Sequence, residues 1–75
     1  MLTDAQKINI KNLELAWRTA KAKYLHNLQN ELEMFYVAKA LNNSKLAYKN
    51  YLSEQNIDST ERQAYIADIA KNWDI

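Results

Sequence analysis

His26 is the only imidazole in the chain, and there is no cysteine. Any metal site or nucleophile–His–acid triad would therefore have to be built around it, without thiolate help. On a helix its neighbours are Lys23 at i−3 and Asn30 at i+4. A helical metal site would put carboxylates or a second His there. His26 accordingly reads as a partly exposed helix residue. The carboxylates nominate no acid–base pair: Glu31 and Glu33 lie two apart on one helix and point to different sides. Glu54, Asp58 and Glu61 gather around a turn, where capping accounts for the last two. With no glycine there is no phosphate-cradling loop either. The expectation is a protein that is not an enzyme, with no catalytic, cofactor-binding or metal-ligating residues.

Positive charge offers a second chemistry, nucleic-acid binding. Lys7, Lys11 and Arg18 share one ridge at helical spacing with Lys21 beside them, and Glu14 sits within that ridge, where it can pair with Arg18 at i, i+4. Near the C-terminal end, two short helices joined by a three-residue turn would have the outline of a helix-turn-helix over 44–73. Arg62 and Gln63 would then stand near the start of its recognition helix. Electrostatics oppose this reading, because the whole chain is only +1 and residues 58–75 are net −2, where phosphate contacts need cations. Nucleic acid is therefore the alternative partner. The halves differ in sign, +3 for residues 1–25 and −2 for 26–75, so they can attract each other across a hairpin or an antiparallel dimer.

The elements that position these residues follow from what is missing. Neither Gly nor Pro occurs in 75 residues. Hairpin turns of β-sheets lean on glycine for left-handed positions, whereas helices can be joined by Asn and Ser. The fold class is all-α, in one domain over 1–75. Thr3-Asp4-Ala5-Gln6 reads as a capping box that starts a helix. The apolar stripe Ile10, Leu13, Trp17, Ala20, Tyr24, Leu28, Leu32, Phe35 then keeps the 3.6-residue period. No breaker is met until Asn42-Asn43-Ser44, so the pattern predicts a long helix over about 4–41, with a bend at His26–Asn30 as the minor alternative. Such a rod would measure about 57 Å. Two shorter helices follow, about 44–55 (Leu46, Ala47, Tyr48, Tyr51, Leu52 apolar) and about 59–73 (Ala64, Tyr65, Ile66, Ile69, Ala70, Trp73), the latter opened by Asp58-Ser59-Thr60-Glu61. Laid end to end they match the first helix, giving an antiparallel hairpin whose second arm is broken.

The largest apolar anomaly is Met34–Leu41, where seven of eight residues are apolar. A helix apolar all round must be buried all round. One returning arm covers one side only, so Met34, Phe35, Tyr36, Val37 and Leu41 are the expected interface, with Trp73 as a further anchor. Small domains without disulfides also recruit a partner to complete the core. The resulting expectation is a homodimeric helical bundle that is a protein–protein interaction module, an adaptor or inhibitor binding itself and an unidentified protein. Usage rich in Lys, Asn, Ile and Tyr fits an AT-rich bacterial or phage genome. No apolar stretch approaches the ~20 residues of a membrane span, and Met1-Leu2-Thr3-Asp4 opens no leader-like run. The expected location is cytoplasmic, in the host cytoplasm if the source is viral, without a membrane partner.

Overall fold

A computed structural model of the chain describes residues 1–71. It holds three helices, α1 (Asp4–His26), α2 (Glu31–Glu54) and α3 (Ser59–Ala70). The all-α expectation is met, but the long helix over 4–41 is not. The chain reverses at residues 27–30 and runs straight through Asn42-Asn43-Ser44. The hairpin is thus formed by two long arms, α1 against α2. The two-short-helix arm is replaced by α2 and a final short helix, and the described residues span 43 × 27 × 18 Å, too short for the 57 Å rod.

Side-chain capping explains the position of the break. Asn27 closes α1, its Nδ2 donating to the Lys23 carbonyl at 2.8 Å and its own N–H to the carbonyls of Lys23 and Tyr24. Asn30 then caps α2, its Oδ1 accepting from the Glu33 amide at 3.2 Å. Charges agree with both ends: Lys23 and His26 in the last turn of α1, Glu31 and Glu33 in the first turn of α2. Asn42 and Asn43 are equally poor helix formers, yet they lie on the exposed side. The inward pattern Met34, Val37, Ala38, Leu41, Ser44, Tyr48, Tyr51, Leu52 passes through them without losing phase, and packing of that face overrides propensity.

The other boundaries follow the expected chemistry with one substitution of means. The Thr3–Gln6 capping box forms reciprocally, at 3.0 and 3.1 Å. α2 ends in a Schellman motif: Ile57 N–H donates to the Leu52 carbonyl and Asn56 N–H to the Ser53 carbonyl. Asn56 takes the left-handed position at φ 53°, where a helix end most often has glycine. Asp58 caps α3 through the Thr60 amide at 2.8 Å, while Glu61 turns to the Met1 amino group at 2.9 Å rather than back to its own helix.

The core sits at one end. Ile10, Tyr48 and Ile66, one residue from each helix, are its buried centre, with Leu13, Trp17, Tyr51, Leu52, Ile57, Tyr65 and Ile69 partly buried around them. Complete burial of Ile10 contributes on the order of 1.5–3 kcal/mol. α3 covers only this end, so the 27–30 end is a bare two-helix arm. The α1 stripe from Ile10 to Tyr24 is inward as expected, but its continuation is not: Leu28, Leu32 and Phe35 are exposed. Leu46, Ala47 and Ala64 also face out, and α3 closes at Ala70, short of the expected 73. Trp73 lies outside the described residues. Asn30→Ala should lower stability by about 1 kcal/mol, and Asn56→Val, which forces a β-branched residue into the left-handed region, by about 1–2 kcal/mol. Urea unfolding followed by circular dichroism checks both.

Candidate interaction surface

At the three-helix end a carboxylate lies inside the core. Glu14 is only 3% exposed. Its Oε1 accepts the Tyr48 hydroxyl at 2.8 Å and its Oε2 the Arg18 Nε at 2.8 Å, while an Arg62 terminal nitrogen stands 3.8 Å from Oε1. The Arg62 guanidinium also lies 5.7 Å from the Tyr48 ring centre. One acid thus ties α1 to α2 and α3. Among the described residues, no buried side-chain nitrogen or oxygen lacks a hydrogen-bond partner. Burial pushes the Tyr48 hydroxyl up to about 12, with the neighbouring Glu14 adding to the rise and Arg62 opposing it.

Beside this network a groove of about 450 Å³ opens between α2 and α3. Trp17, Tyr48, Leu52 and Ile57 form its apolar lining, and Lys45, Lys49 and Arg62 bring positive charge to it. Lys45 and Lys49 are exposed, one turn apart, and have no acidic partner among the described residues.

The predicted interface residues divide into two groups. Met34, Val37 and Leu41 are half-buried on the α2 face they share with Tyr48, the face turned to α1. Phe35 and Tyr36 point outward, 68% and 65% exposed, in edge-to-face contact at 5.6 Å. The sequence pattern puts Phe35 on the inner stripe, whereas in the structure Met34, Val37 and Leu41 face inward. The error follows from treating 4–41 as one helix, which carries the α1 phase across the turn. Leu25, Leu28 and Leu32 add further exposed apolar surface around the hairpin end, and Leu46 lies farther along the outer side of α2.

The residues of the nucleic-acid alternative differ in their surroundings. Lys7, Lys11 and Gln63 are exposed, but Arg18 and Arg62 are drawn to Glu14, and Lys21 lies 5.1 Å over the Trp17 ring. Arg62 is thus partly buried, on the side of α3 turned to Glu14 and Tyr48. Sequence reasoning placed Glu14 on the basic ridge and paired it with Arg18, as observed, but missed its burial, its contacts with Tyr48 and Arg62, and the groove. A signal was present: Glu14 lies four residues after Ile10 and three before Trp17, in phase with the apolar stripe. No group of three or more His, Asp or Glu among the described residues is arranged to hold a metal ion, and no helix there is long and apolar enough to cross a membrane.

Comparison with protein-family models, with curated proteins and with solved structures finds no match to this chain.

The raised Tyr48 has a consequence for alkaline stability. The unfolded chain releases this proton near 10, and the folded chain holds it to about 12. The folded state therefore binds more protons in that interval, and stability falls as pH rises from 10 to 12, by at most about 3 kcal/mol. Tyr48→Phe should cost about 1–2 kcal/mol at neutral pH and reduce the alkaline loss. Denaturant melts at pH 8 and pH 11 compare the two proteins.

Proposed function

We propose that this chain is a non-enzymatic protein–protein interaction module, a helical hairpin that associates with a second copy of itself and serves as a small adaptor or inhibitor of another protein. The observation that carries the reading is the group of large apolar side chains left in solvent at the two-helix end. Leu32 at 78% exposure, Phe35 and Tyr36 share the outer side of the first turns of α2, with Leu25 and Leu28 close by in the chain. Apolar surface gathered in one region of so small a protein is characteristic of a binding face, and an aromatic pair is the usual form of an interface anchor. Among the described residues the buried centre of the core, by contrast, consists of three apolar residues and one acid, which supports the view that a partner completes the fold.

Phe35→Glu tests the reading directly. Phe35 is already mostly exposed, so the substitution should change monomer stability by less than about 0.5 kcal/mol. It should weaken self-association by about 2 kcal/mol, roughly thirtyfold in Kd. Val37→Glu, on the half-buried face, should instead unfold the hairpin. Sedimentation equilibrium across micromolar concentrations, paired with thermal melts, separates the two effects. A strictly monomeric wild type would refute the self-association.

A further inference from the structure

The two ends of α2 carry opposite charge on one flank. Glu31 and Lys49 are eighteen residues apart on α2, about five full turns, so they point to the same flank some 27 Å apart. Between them Phe35 and Leu46 stand about 40° and 60° to one side of that line, and Lys45 about 40° to the other. Read from the first turn, the flank begins with an acid and an exposed aromatic ring and ends with two lysines beside an apolar groove. Such a pattern is self-complementary under a two-fold axis: turned end for end, acid meets base and the exposed apolar residues Phe35 and Leu46 meet each other.

We propose that a second copy of this chain docks antiparallel along this flank of α2, centred near residue 40. Glu31 of each protomer meets Lys49 of its partner, and Phe35 lies against the partner's Leu46. The proposal rests on the self-association put forward above and specifies its geometry. Three observations select this occupant. Lys45 and Lys49 have no acidic partner within the chain among the described residues. Glu14, the acid lining the groove, already holds Tyr48, Arg18 and Arg62, so it does not neutralise them. Glu31 is exposed and, one turn before Phe35, brings charge and apolar surface together on one edge. The two-fold arrangement makes every such contact twice and closes the assembly at two chains.

The test is a charge exchange. Glu31→Lys alone sets lysine against lysine at both contacts of a homodimer, and Lys49→Glu alone sets acid against acid. Each should weaken the dimer roughly tenfold. Mixed together, the two variants restore both contacts in a heterodimer, which should recover wild-type affinity. Sedimentation of each variant, and energy transfer between differently labelled chains in the mixture, read the result. Added salt should weaken the wild-type dimer and strengthen the two variant homodimers. A dimeric wild type whose affinity neither exchange alters, with no heterodimer preference in the mixture, overturns this docking and leaves self-association standing. A monomeric wild type overturns both. Far-UV circular dichroism confirms that each variant folds, and Glu31→Gln, which removes charge without reversing it, should give a smaller loss in the same direction.

Discussion

The carboxylate of Glu14 is the constraint on which the arrangement of the three helices depends. A buried charge is tolerated only while its polar partners are in place, and here they come from all three elements: Arg18 from α1 and Tyr48 from α2 donate hydrogen bonds, and Arg62 from α3 adds an ion pair at 3.8 Å. Apolar contacts such as those of Ile10 with its neighbours change smoothly when one helix slides along another. The Glu14 contacts do not. A one-turn slip of α2 would carry the Tyr48 hydroxyl about 5.4 Å away and leave one oxygen of the buried acid without its hydrogen bond, a loss of about 1–2 kcal/mol. The network therefore discriminates between registers that apolar packing alone would leave close in energy.

That anchoring is confined to one end of the molecule, and the asymmetry shapes what the rest can do. α3 is half the length of α2 and covers only the end where Glu14 lies. Beyond it two helices face each other alone, and a helix with one neighbour can bury only one side. The Met34–Leu41 stretch shows the result: its inner residues are half-buried against α1, while Phe35 and Tyr36 remain in water. The same surplus apolar surface that leaves this end unfinished in the monomer supplies the anchors of the proposed interface.

Some of these features could be read from residue order and some could not. The capping box at Thr3–Gln6, the turn at Asn56-Ile57-Asp58 and the inward stripe Ile10–Tyr24 are local patterns, and each is present as read. The position of the reversal was ambiguous because two Asn-rich segments competed for it. Asn30 with Glu33 three residues later has the form of an N-cap signature, whereas Asn42-Asn43-Ser44 offers three capping residues in a row. Local propensity does not choose between them. What decides is that α2 placed over 31–54 keeps one continuous inner face against α1, which the broken arm did not.

Residue order by itself determined that the chain is helical, since a sequence without glycine or proline lacks the usual means of turning a sheet, and it set where the outer ends of the hairpin begin and stop. Tertiary structure decided which face of each helix is inside and which of the charged residues belong to the core. Those outcomes depend on contacts between residues more than thirty positions apart, such as Glu14 with Tyr48 and Asn9 with Tyr51. A carboxylate on a helix is solvated or buried according to what the returning arm places over it, and that is a property of the packed pair rather than of either segment.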